Sequence, residues 1–264
     1  MTEWMALIDG TILHYVVEDV PNDVTAEMVA ETVQQADLLF DPPTVLSQAD
    51  WDDHDKARAV NAGTRDRISW TRLRSVVDVR TTVLSTIYSL FGERGEWPTY
   101  QYVDRLLDQE KGLNLVEAMR WMPGGWVLGA DARRSEERVS LSVPALARTP
   151  GAEGDVERFI RFLRWAVERD SSYLPLSPTA FEPLILTSLD FRRHEETSGH
   201  VLSDLEARRL FEILQSEPQI IQEGSYDAKG QQWTIALSDD IRSYRVARTA
   251  DEYLRIRASS PSRR

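Results

Sequence analysis

An α+β fold, helix-rich and divided into several lobes, is what the sequence predicts for this 264-residue chain. Three observations carry that expectation. Apolar residues recur at helical spacing in separate stretches, most clearly from Asp155 to Arg169, where Val156, Phe159, Ile160, Leu163 and Val167 form one stripe widened by Phe162 and Ala166. β-type runs flank turn-forming residues in three places, each a hairpin signal. Breaks rich in Pro, Gly and polar residues then separate three segments: an acidic hairpin–helix segment (1–60), a central lobe (61–183) and a C-terminal helix–hairpin–helix lobe (184–264).

Trp4 to Val17 reads as a β-hairpin, because Met5 to Ile8 and Ile12 to Val17 flank Asp9-Gly10, a strong type I′ turn signal. A helix is expected from about Thr25 to Leu39, with Met28, Val29, Thr32, Val33 and Ala36 inward and Asp41-Pro42-Pro43 closing it. Thr44 to Asp66 is polar and reads as a linker with one helical turn around Ser47 to Ala59. Inside it, Asp50-Trp51-Asp52-Asp53-His54-Asp55 is the densest cluster of metal-ligand types. It fails as a calcium loop: Asp55 stands where the loop needs Gly, and Asn61 where it needs Glu. A solvated helix start, its acids near the positive end of the dipole, is the simpler reading.

Trp70, Leu73, Val77, Leu84, Ile87 and Phe91 again recur at helical spacing. Val76-Val77-x-Val79 is β-branched and Arg80 interrupts the seam, so the secure helix is placed from Val79 to Phe91, with Asp78 as its N-cap. Gly92 and Gly95 end it, and Trp97-Pro98 fixes the turn. Thr99 should cap a second helix carrying Tyr102, Val103, Leu106 and Leu107, stopped at Lys111-Gly112. Asn114 to Glu117 has capping-box spacing and opens a short third helix to Met122, stopped by Pro123-Gly124-Gly125. Trp126 to Leu128 and Val139 to Val143 are two β-type runs around a polar tip, Asp131 to Arg138.

Three tight helices followed by a hairpin with a charged tip resemble the winged helix-turn-helix superfamily over residues 79–143, about a quarter of the chain. The resemblance lies in element order and not in a diagnostic motif. It implies a compact module and, in many members, duplex DNA with the third helix in the major groove. This sequence departs from that use. Its third helix offers one cation, Arg120, beside Glu117, and at the tip Arg133, Arg134 and Arg138 are offset by Asp131, Glu136 and Glu137. Neutralising phosphates takes surplus positive charge.

Beyond Pro150-Gly151 and Gly154, the helix from Asp155 to Arg169 carries Arg158, Arg161, Arg164 and Arg169 away from its apolar stripe. Either Glu157 and Glu168 pair with them, or Arg161 and Arg164 join Trp165 in a basic–aromatic patch. Ser172 to Pro183 reads as a connector. Leu184 to Leu186 and Leu189 suggest a short buried strand or helical turn, and His194 to His200 a charged loop. Ser203 to Glu206 is a capping box opening a helix to about Gln215, with Leu205, Leu210, Phe211 and Leu214 buried. Pro218 to Ile221 and Gln232 to Leu237 should pair across Asp227 to Gly230. Thr249 to Glu252 is a further capping box before a terminal helix. Helix-then-hairpin thus occurs twice, at 99–143 and 203–237. Arg242, Arg245, Arg248, Arg255 and Arg257, with Arg263-Arg264, make the one local arginine excess.

Composition bounds the function. A chain with 42% hydrophobic residues and eight Trp is an ordinary globular protein. Zero cysteines exclude disulfides, thiolate metal sites and a Cys nucleophile. No membrane-length apolar run and no export signal are present, so a cytoplasmic location is the default expectation. The net charge of −12 is concentrated at the front: residues 1–60 hold 13 acidic and 2 basic side chains, a net of −11. Arg outnumbers Lys 28 to 3, which fits a GC-rich genome. There is no phosphate-cradling Gly loop, no Gly-x-Ser-x-Gly elbow and no His-Glu-x-x-His, and Asp227-x-Lys229 reads as a turn. A metal at His194 and His200 would need ligands from elsewhere in the chain.

The expectation is therefore a non-catalytic regulatory or adaptor protein that contacts a protein partner, without cofactor or membrane. The alternative is a winged-helix regulator of duplex DNA, and an enzyme based on the Asp50–Asp55 cluster comes third. Candidate nucleic-acid or partner contacts are Arg120, Arg133, Arg134, Arg138, Arg242, Arg245 and Arg248.

Overall fold

A computed structural model describes residues 2–7, 14–37, 43–47, 65–130, 136–172, 183–217, 220–238, 241 and 252. The chain is mixed α and β, and it divides into two compact units, Met1–Arg80 and Thr81–Arg264. Each is built from its own core.

In the first unit, β1 (Thr2–Leu7), β2 (His14–Val20), β3 (Thr44–Ser47) and β4 (Arg65–Ser69) form one sheet in the order β3-β1-β2-β4. β1 runs antiparallel to both β2 and β3, and β4 runs parallel to β2. The hairpin expected at the N-terminus is present, but its register opposes Leu7 to His14, whereas a two-residue Asp9-Gly10 turn would oppose Leu7 to Ile12. A shift of two residues keeps every side chain on its face. The turn residues themselves lie outside the described residues. Strand alternation then sorts the apolar side chains. Ala6 and Val17 join Val29, Val33 and Ala36 of α1 (Ala26–Asp37) in one core, while Met5, Leu7 and Val16 cluster with Leu46 on the opposite face. Met28, expected inward, is exposed.

Two sequence expectations fail here for a shared reason. Thr44 to Asp66 is not wholly a linker, because β3 and β4 occupy its ends; β4 in particular, a polar sequence, acquires strand structure from the neighbour that pairs with it. The helix placed from Val79 in fact runs unbroken from Trp70 to Arg94 (α2). Asp78 lies inside it, 3.7 Å from Arg74, and Ser69 holds the N-terminal position, its hydroxyl accepting from the Arg72 N–H at 3.4 Å. A β-branched residue costs a few tenths of a kcal/mol in a helix. Burying Trp70, Leu73 and Val77 in the first core is worth about 1.5–3 kcal/mol each. Burial wins. Arg80, which breaks the apolar seam, donates to the carbonyl of Ala36 and so supplies a cation at the C-terminal end of α1, whose last turn has none of its own.

The second unit continues from α2, where Val83, Leu84, Ile87, Leu90 and Phe91 are buried. Gly92 stays helical, and Gly95, at φ 67°, ends the run. Then come α3 (Tyr100–Lys111), α4 (Leu115–Ala118) with a 3-10 turn (Met119–Trp121), and the two-residue strands β5 (Val127–Leu128) and β6 (Ser140–Leu141). Gly112 caps α3 in the left-handed region, as expected. Val143 is not in the strand: with Pro144 it opens α5 (Val143–Leu146), where Pro's missing N–H costs nothing. α6 (Glu153–Ser172) is the amphipathic helix expected.

The C-terminal elements pack in the same unit as α6. β7 (Ile185–Thr187), β8 (Ile221–Asp227) and β9 (Gln232–Leu237) make a sheet in the order β7-β9-β8, flanked by α7 (Ser188–Thr197) and α8 (Asp204–Gln215). Phe162 of α6 meets Phe191 edge-on at 5.3 Å and Trp233 at 5.8 Å between centroids, and the Trp233 indole donates to the Ala207 carbonyl at 3.0 Å. His194 to Thr197 belongs to α7 and is not loop: the Thr187 hydroxyl caps that helix at the Asp190 N–H. Leu205, expected buried, is exposed. β8 is mostly polar and carries Gly224 where a Cβ would stand 2.4 Å from the Gln215 amide and 3.1 Å from the Phe211 ring, so α8 lies close over it. The predicted terminal helix lies outside the described residues except for Glu252.

Candidate functional site

The sequence candidates are arginines, and their surroundings decide what each is able to do. Arg133, Arg134, Arg242, Arg245 and Arg248 lie outside the described residues, as does the Asp50–Asp55 cluster. Arg120 and Arg138 are described, and they differ.

The third helix is set by two side chains. Asn114 Oδ1 accepts from the N–H groups of Val116 (2.9 Å) and Glu117 (3.3 Å), and Asp104 of α3 accepts from the Leu115 N–H at 2.8 Å. The result is one α turn followed by one 3-10 turn, which buries Leu115 and Ala118 and leaves Arg120 exposed. Val116 is 46% exposed and Trp121 39%, so the outward face sets these two apolar side chains beside Glu117 and Arg120.

Arg138 lies at the base of the hairpin. Thr99 pairs with it as a single antiparallel bridge, completed by Tyr100 N–H to Glu137 O at 2.9 Å and Val139 N–H to Pro98 O at 2.8 Å. Thr99 stands at the N-cap of α3 but makes no side-chain cap; its carbonyl accepts from the Tyr102 and Val103 N–H groups, both at 3.1 Å. Gly129 is required opposite: at φ 74°, a Cβ would stand 2.2 Å from the Arg138 carbonyl oxygen. The Arg138 guanidinium reaches Glu212 at 3.1 Å and Glu96 at 2.9 Å. Glu96 also pairs with Arg208. Burial pushes the Glu212 carboxyl above its ordinary range, with Arg138 and Arg208 pulling against it. Arg138 is thus already neutralised.

A second group of arginines is internal. Arg158, expected on a solvated face, is 8% exposed and donates to Asp155, itself 2% exposed, and to Glu206. Asp155 also accepts from the Tyr88 hydroxyl at 2.9 Å and stands 3.4 Å from Arg209. Burial, then the Asp155 charge, push the Tyr88 phenol up to about 12. Burial raises the Glu206 carboxyl, but its hydrogen bonds from the Ser203 hydroxyl and N–H, with Arg158 and Arg209, outweigh that and hold it below its ordinary value. Arg161 grips Glu195, 1% exposed, through Nε (3.0 Å) and Nη2 (2.8 Å). Trp165 is buried against Phe191, with His194 stacked on it at 5.9 Å, so it forms no exposed basic–aromatic patch with Arg161. These ions hold α2, α6, α7 and α8 together. Each carboxylate in the group is hydrogen-bonded to a cation, which suits it to structure and not to proton transfer.

A third arrangement was not foreseen. Arg94, in the last turn of α2, and Arg105 of α3 both stand over the ring of Tyr102, at 5.1 and 5.4 Å from its centroid. Tyr102 and Arg105 are three apart on one helix, which is a legible signal; Arg94 arrives only through the fold.

The remaining chemistry is quiet. Lys229 N–H donates to Asp227 Oδ1 at 2.9 Å, an ordinary turn contact. Among the described residues no group of three or more His, Asp or Glu is placed to hold a metal ion, and no helix is long and apolar enough to cross a membrane. Comparison with protein-family models, curated proteins and solved structures returns no match to this chain.

Proposed function

We propose that residues 79–143 form a winged-helix-like module used for protein–protein contact, and that the protein is a non-catalytic regulatory or adaptor protein. Two features support the module: the order helix, helix, short helix, hairpin, and the Thr99–Arg138 bridge, which adds a third strand position beside the hairpin. One observation carries the choice of partner. The short third helix turns Val116 and Trp121 outward with a single cation, Arg120, while Arg138 at the hairpin base is tied to two carboxylates. Exposed aromatic and aliphatic side chains on a rigid element are what protein contacts use as anchors. A duplex-reading surface needs several uncommitted cations, since each phosphate neutralised adds about 0.9 to the salt slope.

The test places a photo-crosslinking residue at position 116 of the full chain in cell extract. A protein adduct that Trp121→Asp abolishes is the expected result. No adduct, together with a low-salt shift of labelled duplex DNA that Arg120→Ala weakens, overturns the reading in favour of DNA.

A further inference from the structure

The pair of arginines on Tyr102 asks for an explanation that the fold does not supply. Two guanidinium groups held on one ring repel each other, and each costs side-chain entropy to fix. Several other arginines of the unit are matched with acids: Arg138 with Glu96 and Glu212, Arg158 with Asp155 and Glu206, Arg161 with Glu195. Among the described residues Arg94 and Arg105 have no carboxylate partner, and both are exposed. The acids close to them in sequence are in part committed, Glu96 to Arg138 and Arg208, and Asp104 to the Leu115 N–H. A guanidinium lying over a ring keeps its N–H edge free, in a plane that fits a carboxylate through two hydrogen bonds.

We infer that Arg94, Tyr102 and Arg105 form a binding site for the side-chain carboxylates of an acidic peptide segment of the partner. The inference rests on the module being a protein-contact surface. The two forks each take one carboxylate, and the Tyr102 ring holds the two cations near each other. Asp104 ties the start of the third helix to α3 beside Arg105, so the site adjoins the element that exposes Val116 and Trp121. A peptide fits better than a nucleic acid because two forks are local. A phosphate backbone needs a continued track of cations, and Arg138, in the same module, is already matched with acids.

The test is fluorescence anisotropy of the full chain with three labelled probes at about 50 mM salt, where exposed charges still act over roughly a Debye length. The probes are an octapeptide of alternating Glu and Leu, its Gln–Leu counterpart and a single-stranded oligonucleotide. The Glu–Leu peptide should bind, the Gln–Leu peptide should not, and the oligonucleotide should bind more weakly than the Glu–Leu peptide. Arg94→Ala with Arg105→Ala should weaken the Glu–Leu peptide by about tenfold or more. Tyr102→Ala should weaken it several-fold, and Tyr102→Phe should leave it nearly intact, because the ring and not the hydroxyl carries the contact. Arg164→Ala, an exposed arginine on α6, should change nothing; circular dichroism of every variant reports that it is folded. Absence of binding by the Glu–Leu peptide, equal binding of the Gln–Leu peptide, or an equal loss in Arg164→Ala overturns the site. Tighter binding of the oligonucleotide than of the Glu–Leu peptide overturns it too and assigns the pair to nucleic acid. If position 116 still captures a protein while the Glu–Leu peptide does not bind, the site fails and the protein-contact reading stands.

Discussion

Arg158 and Arg105 belong to the same unit, lie on amphipathic helices, and have their nearest helical partner three residues back. For Arg158 that partner is Asp155; for Arg105 it is Tyr102. The outcomes are opposite. Arg158 is drawn inside, where Asp155 and Glu206 satisfy it and Tyr88 and Arg209 complete the group around Asp155. Arg105 remains at the surface, its guanidinium carbon 5.4 Å from the centroid of the Tyr102 ring. Burying a cation is affordable only where an acid arrives with it. Asp155 three residues back and Glu206 from α8 together draw Arg158 into the core, whereas Tyr102 three residues back leaves Arg105 at the surface.

The comparison breaks most readily at Asp155. Asp155→Ala leaves Arg158 and Arg209 facing a void and should cost about 3–5 kcal/mol, read by chemical denaturation with tryptophan fluorescence. A loss of under about 1 kcal/mol would mean that the internal ions are not matched in the way described. Glu195→Gln removes the charge but keeps the shape opposite Arg161, and about 2 kcal/mol is expected from losing a charge-assisted pair.

Tyr88→Phe is milder, about 1 kcal/mol for one hydrogen bond, and it has a pH signature. A phenol raised from 10 to about 12 in the folded protein is favoured in its neutral form. Its contribution is therefore fully present below pH 10 and is lost as pH rises through about 12. The alkaline fall in stability over that window should flatten in Tyr88→Phe. Smallest of all, Arg94→Ala with Arg105→Ala should change stability by no more than about 0.5 kcal/mol, since exposed cations contribute little to it. A larger loss would show that the pair serves the fold after all.

Local signals were legible where a short segment decides its own geometry. Gly112 ends α3, Asn114 caps α4 and Ser203 with Glu206 forms the capping box, each as the residues alone imply. What was not legible depends on groups distant in the chain. Val76, Val77 and Val79 argue locally against a helix, and only the cores that bury residues on either side of them decide for one. The polar run Arg65 to Ser69 is a strand because β2 lies alongside it. The face of each arginine on α6 could be read from its spacing, but not that Glu206 and Glu195 would come to meet Arg158 and Arg161 from α8 and α7. Local sequence does not distinguish Arg138, matched by Glu96 and Glu212 from elsewhere in the chain, from Arg94 and Arg105, which meet on Tyr102.

Glu206 joins two scales of motion. One oxygen of its carboxylate takes the N–H and hydroxyl of Ser203 at the start of α8, and the other takes Arg158 of α6. A helix end ordinarily frays with almost no cost, and its amides exchange with solvent on their own schedule. Here the first turn of α8 cannot open without releasing a buried guanidinium. Deuterium uptake at Glu206 and Ala207, whose N–H groups bond to Ser203, should therefore keep pace with the slowest amides of α6. The end of one helix then reports the cooperative opening of the unit.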